Sequence, residues 1–94
     1  MYNEPVRYIW DEAKRQRTLA ARGLDFADAP TVLEGTVFTQ DDDRLDYGED
    51  RSVSMGTLNK KVVVIVHTQR ESEVRIISMR EATRYERELY FRNL

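Results

Sequence analysis

Arginines set at short intervals along what read as rigid elements are the residues of this sequence best suited to chemistry. From Val62 to Phe91 the chain runs VVVIVHTQRESEVRIISMREATRYERELYF, and Arg75, Arg80, Arg84 and Arg87 fall where a strand feeds into a helix. A guanidinium is permanently charged and offers a planar fork of donors, so such a scaffold could hold a phosphate. Arg75 interrupts the apolar run Val74 to Ile77, where a charge must find a carboxylate, a cleft or an anion. Glu49 and Glu73 are candidate ion-pair partners for it. Arg80, Arg84 and Arg87 stand at i, i+4 and i+7, a basic stripe on the expected final helix. Glu81, Glu86 and Glu88 are spaced to pair with them locally, and a solvated helix face would look the same. His67 ends a β-branched run, and alternation sets it on the face of Val63 and Ile65, a position where a lone histidine is usually structural.

Several other chemistries lack their residues. There is no Gly-rich phosphate loop, no H-E-x-x-H and no cysteine. The acidic decade DDDRLDYGED, residues 41–50, lacks the calcium-loop spacing of glycine at the sixth and glutamate at the twelfth position. No metal or other cofactor is therefore expected. Cleaving RNA without a metal needs a base for the 2′-hydroxyl, cations for the charged phosphorane and an acid for the leaving oxygen. Arginine meets the second need. His67, Glu49 or a tyrosine such as Tyr47 could meet the first and third, and Tyr85 could stack on a base. Spacing does not assign these roles uniquely.

Composition sets the frame for that chemistry. Ninety-four residues fit one compact domain, 1–94, with little room for a deep cavity. Hydrophobic residues are 40% and charged residues 34%, a balance expected of a globular protein in water, with no apolar run of membrane-spanning length. Without cysteine or a signal-like opening, a cytoplasmic setting is expected. The net charge of −2 argues weakly against polyanion binding, yet the decade 41–50 holds six acids against Arg44, and the rest of the chain is basic by +3. That acidic segment is either a solvated loop or a surface for a basic partner.

The elements that must position these groups can be read in order. Val6 to Trp10 suggests a strand, and Asp11 an N-cap for a helix ending at Gly23, with Ala13, Ala20 and Leu24 on its core face and Lys14 and Arg17 outside. Asp25 and Asp28 suggest a second short helix from Phe26, which Pro30 either cuts short or breaks. Thr36 to Thr39 reads as a strand, with the acidic decade as a loop after it. Arg51 to Leu58, Val62 to Thr68 and Glu73 to Ser78 form an antiparallel meander, turning at Leu58-Asn59-Lys60-Lys61 and at Gln69 to Ser72. VVVIV is apolar on both faces, as in a central strand covered on each side. Ser78-Met79-Arg80-Glu81 has capping-box spacing, so the last helix is expected to start there, with Ala82, Tyr85 and Leu89 as its core stripe. The expected fold is α+β: an antiparallel sheet of about four strands with helices on one side, two of them N-terminal and one C-terminal.

The residues also resemble a known family. Trp10-Asp11-Glu12-Ala13-Lys14, then Gly23 and Phe26, Tyr47-Gly48-Glu49-Asp50-Arg51, Val66-His67-Thr68, the block Arg75-Ile76-Ile77-Ser78-Met79-Arg80-Glu81-Ala82-Thr83, and Glu86-Arg87 with Tyr90 resemble the BrnT toxins. The match runs in order over nearly the whole chain, and the R-I-I-S-x-R-x-A-T block is its specific part. The resemblance implies a RelE-like fold and the toxin half of a bacterial type II toxin-antitoxin pair, an endoribonuclease that inhibits translation. It implies as partner a BrnA-like ribbon-helix-helix antitoxin, with operator DNA reached only through that antitoxin, RNA as substrate and no membrane. Under this reading Glu49, Arg51, His67, Arg80 and Arg84 are the catalytic candidates, and Lys14, Arg17, Arg22, Arg75 and Tyr85 the RNA-binding ones. One stretch departs from the pattern. Family members commonly read N-x-x-K-H-G at the end of the first helix, where this chain has Thr18, Ala21, Arg22 and Gly23. Arginine at 22 keeps a cation but cannot relay protons near neutrality. The alternative is a catalytically weakened or non-catalytic interaction module acting in transcriptional autoregulation with its partner.

Overall fold

The computed structural model describes residues 5–42 and 51–94. Chain entry is set by local chemistry. After strand β1 (Arg7–Trp10), Asp11 adopts extended backbone and its carboxylate accepts a hydrogen bond from the Lys14 amide, opening helix α1 (Glu12–Arg22). Gly23 closes the helix at φ 70°, a left-handed conformation that costs glycine nothing, and its amide donates to the Leu19 carbonyl. These caps lie where the sequence placed them.

Of the expected core face of α1, Leu24 beyond the helix end packs on the core, but the helix itself buries no residue and Ala13 and Ala20 are exposed. It docks through polar contacts instead. Arg15 holds Asp25 at 3.1 Å and Glu12 at 2.7 Å, and Arg22 Nη1 donates to the Met79 carbonyl at 2.9 Å. Asp25 also caps the Ala27 amide at 2.9 Å, starting a 3₁₀ turn (Phe26–Asp28) that runs into helix α2 (Ala29–Leu33). Pro30 falls in the first turn of α2, where its missing N–H has no intrahelical role, so it opens a helix rather than breaking one.

The sheet has five strands in the order β1-β5-β4-β3-β2, with β2 Phe38–Asp42, β3 Arg51–Leu58, β4 Lys61–Arg70 and β5 Glu73–Glu81. It is mixed, not antiparallel with about four strands, because β1 pairs parallel with β5. That pairing covers the β5 edge, which would otherwise present unpaired amides. The meander β3-β4-β5 is as the sequence reads. Its first turn carries Asn59 and Lys60 at φ 51° and 69°, the doubly left-handed geometry that suits tight hairpins. Strand β2 extends through Asp41 and Asp42, so the acidic decade begins as sheet and not loop; residues 43–50 lie outside the described residues.

Helices cover both faces of the sheet, not one. Val63 and Ile65 of β4 pack with Phe26, Ala29, Val32, Ile76 and Met79 under the 3₁₀ turn and α2. Val62 and Val64 pack with Met55, Ala82 and Tyr90 under α3 (Arg84–Arg92). The apolar run of β4 requires this, since each buried valine or isoleucine contributes about 1.5–3 kcal/mol only if covered.

The junction of β5 and α3 also differs from expectation. Strand pairing continues past Ser78 because Met79, fully buried, sits opposite Ile65, and Ala82 still donates to the Val62 carbonyl at 2.9 Å. The capping box that forms is the next one, Thr83-Arg84-Tyr85-Glu86, with both reciprocal hydrogen bonds present. Arg80 is therefore a strand residue, and the expected basic helix stripe is split between two elements. The core stripe shifts as well: Tyr85 is 68% exposed, while Tyr90 is buried and its hydroxyl donates to the Thr36 carbonyl at 2.8 Å.

Candidate nucleic-acid interface

Cross-strand register assembles the arginines more closely than sequence spacing does. On the sheet face that carries α3, Met55 stands opposite Val64 and Val64 opposite Arg80. The next row is Gln40, Val53, Val66 and Ser78, and the one beyond it is Asp42, Arg51, Thr68 and Arg75. Because side chains alternate between faces, Arg51, Arg75 and Arg80 share this one. Two inter-strand spacings, roughly 9–10 Å, separate the backbones of Arg51 and Arg75. A shift of register between Val66 and His67 makes this possible: Ile76 pairs with His67 and Ser78 with Val66, leaving Ile77 as an extra residue that rephases β5.

Helix α3 covers only part of the face. Beside it lies an open groove of about 780 Å³ whose lining includes Gln40, Val53, Val66, Ser78, Arg80 and Tyr85. Valines form its floor, Arg80 one wall and the exposed ring of Tyr85 the rim. Arg80 is held by Glu86 through two short bonds, Nη1 to Oε1 at 2.7 Å and Nη2 to Oε2 at 2.8 Å, and Nη1 also reaches the Glu81 carbonyl at 3.3 Å. Hydrogen bonds from Arg80 are the main reason the Glu86 carboxyl titrates far below its ordinary value, at about 2, with capping by Thr83 adding to the effect. Sequence reading took Glu86 for a local helix pair; the T-x-x-E spacing was the signal that could have singled it out.

A second depression, about 410 Å³, is lined by Lys14, Arg17, Thr18, Ala21 and Arg22 of α1 and by Ser78. Ser78 borders both hollows, so the basic side of α1 adjoins the groove across β5. Arg22 is partly committed there to the Met79 carbonyl. Arg75 is exposed; Glu73, one expected partner, lies 4.0 Å from Arg7, and Glu49, the other, is outside the described residues with Tyr47. Arg84, on the first turn of α3, is exposed and 3.4 Å from Glu88, while Arg87 donates to the Ala82 carbonyl at 3.3 Å.

His67 is not among the assembled cations. It shares the opposite face with Val63 and Ile65, as alternation predicts, and lines a hollow of about 170 Å³ beside Tyr8, Leu33 and Val37. Its Nε2 is 2.8 Å from the Ser54 hydroxyl, which lies 2.7 Å from that of Thr39. Burial pushes the imidazole below its ordinary pKa. The proposed catalytic group of His67 with Arg51, Arg80 and Arg84 is thus split across the sheet. Ser54, 1% exposed, is the partner that sequence reading missed.

The sequence model of the ribonuclease toxin BrnT, of type II toxin-antitoxin systems, matches residues 10–86. The chain belongs to this family. A search among curated proteins finds no match. The BrnT match extends from Trp10 in β1 to Glu86 in α3 and takes in Lys14, Arg17, Arg22, Arg51, Arg75, Arg80, Arg84 and Tyr85. As a member of a type II system, a BrnT toxin has a protein antitoxin as its partner. Among the described residues, no helix is long and apolar enough to cross a membrane.

Proposed function

We propose that this BrnT-family chain is a metal-independent endoribonuclease, a single toxin domain over 1–94 that inhibits translation in the cytoplasm. The observation that carries the reading is the cross-strand placement of Arg51, Arg75 and Arg80 on one open sheet face, beside a groove rimmed by Tyr85. In this reaction the 2′-hydroxyl attacks the adjacent phosphorus and the 5′-oxygen leaves, giving a 2′,3′-cyclic phosphate and a 5′-hydroxyl. Charge accumulates on the phosphorane oxygens, and fixed guanidinium groups are suited to stabilise it. Lys14 and Arg17 guide the strand onto the groove across Ser78, and Tyr85 stacks on a base. The base falls to Glu49, the carboxylate candidate of the sequence, since His67 fronts the other side of the sheet.

The antitoxin in this proposal is a ribbon-helix-helix protein that covers the groove with acidic residues, brings operator DNA to the complex and leaves the toxin without direct DNA contact. A second reading, a catalytically weakened member acting in autoregulation, draws on one observation. Arg22, which replaces the family's usual histidine, is engaged by a backbone carbonyl. Cleavage of a labelled single-stranded RNA by the isolated chain in EDTA separates the two. We expect cleavage with a cyclic phosphate end, and a loss of at least about 10-fold in kcat/KM for Arg51→Ala and for Arg75→Ala. Full activity in both variants would remove the groove as the site, and no cleavage by the unmodified chain would favour the second reading.

A further inference from the structure

We infer that Glu86 is a positioning residue for Arg80, a role that rests on the ribonuclease reading above. Three short hydrogen bonds converge on this one carboxylate. Oε1 accepts from Arg80 Nη1 at 2.7 Å and from the Thr83 amide at 2.8 Å, and Oε2 accepts from Arg80 Nη2 at 2.8 Å. The bidentate pair fixes the plane of the guanidinium as well as its place, and only one-fifth of the Glu86 side chain is exposed. The Thr83 bond fixes the carboxylate in turn, because that amide belongs to the first turn of α3, whose other reciprocal bond runs from the Glu86 amide to Thr83 Oγ1 at 3.2 Å. Strand β5, helix α3 and the cation on the groove wall are thereby registered by one side chain.

The electrostatic consequence is specific. A paired Arg80 carries little net attraction for a phosphate in the ground state, since the carboxylate stays ionised throughout the working pH range. Its donors are nonetheless held in place before the reaction, which is the arrangement that favours a transition state over a bound substrate. Attraction for the strand then comes from Arg75 on the same sheet face and from Lys14 and Arg17 beside the groove. Glu86 accordingly acts on turnover through Arg80, with binding opposed by its charge.

Kinetics of Glu86→Gln on the full chain with single-stranded RNA test the assignment. The glutamine keeps an acceptor for the Thr83 amide but loses the charge and the symmetric grip on Arg80. We expect kcat to fall about 10- to 100-fold while KM falls rather than rises, and Glu86→Asp to recover part of kcat. Thr83→Ala removes the other half of the capping box and serves as the structural control; its thermal stability should drop while KM holds. In Arg80→Ala, adding Glu86→Gln should change kcat little further. If Glu86→Gln lowers only the folded fraction, with KM unchanged, or if its effect persists undiminished without Arg80, the assignment is overturned. Failure of the unmodified chain to cleave RNA would overturn the ribonuclease reading and this role together, whereas cleavage that depends on Arg80 but not on Glu86 would overturn this role alone.

Discussion

Single residues on the two faces of the sheet are set for different tasks, and His67 shows how. Its ring is half-buried among side chains of the α2 face and within hydrogen-bond distance of Ser54, and that burial lowers its pKa. A histidine that titrates lower in the native than in the unfolded state favours folding while it is neutral. The unfolded chain binds the proton first as pH falls, so stability is full above the unfolded value near 6.5 and declines below it. Glu86 contributes at a lower window, with stability present above its ordinary 4.5 and lost as pH falls toward about 2. The two windows are separable by melting curves. Between pH 7.5 and 5.5 the melting temperature should drop, and His67→Gln, which can keep the bond to Ser54, should flatten that drop. The same variant should retain RNA cleavage within about twofold, because the groove is on the far side of the sheet. A loss of activity as large as that of Arg75→Ala, without a matching change in stability, would return His67 to the site.

At the scale of elements, the packing of α2 on the sheet turns on a residue with no side chain. A Cβ on Gly56 would stand 2.7 Å from Val32 Cγ1 and 3.1 Å from Val37 Cγ1. Both neighbours are β-branched and Val32 is buried, so neither can turn aside cheaply. Gly56→Ala should cost about 1–3 kcal/mol in denaturant unfolding, with Gly35→Ala, whose nearest atoms are at 3.5 Å, as the milder control. Equal costs would show that α2 tolerates displacement. None of this was legible in the sequence, where Gly56 merely interrupts an alternating run. What was legible followed from local rules: Asp11 and Gly23 bound α1, Asn59-Lys60 closes a hairpin, and the apolar run of β4 is buried on both faces from Val62 to Ile65. The end of β5 misled because two capping boxes lie five residues apart, and long-range pairing of Met79 with Ile65 selects the second. Parallel pairing of β1 was invisible for a related reason, since nothing within Arg7–Trp10 specifies a partner more than sixty residues away. The candidate site was half legible. Sequence spacing found the arginines, but only strand register could tell that Arg51 and Arg75 share a row and that His67 faces away.

For the whole molecule the controlling quantity is charge, and it acts against the average. The chain carries −2 overall, yet Lys14, Arg17, Arg51, Arg75 and Arg80 border two adjoining hollows or the same sheet face. A polyanion bound there should displace counterions, and each phosphate neutralised on a single strand contributes about −0.7 to the slope of log K against log salt. Arg80 is already held by Glu86, and counting Lys14, Arg17 and Arg75 alone the slope expected for single-stranded RNA is about −2. Titrations with a 2′-O-methyl oligonucleotide, which binds but presents no nucleophile, measure this without cleavage. Arg75→Ala should make the slope shallower by about 0.7, and Arg17→Ala by a similar amount if α1 lies on the path of the strand. Glu86→Gln should steepen it, because it removes a negative charge from the groove lining. A slope that ignores Arg75 and responds to Arg17 would place the nucleic acid on α1 alone, and a slope near zero would mean that net repulsion from the acidic residues outweighs the basic surface.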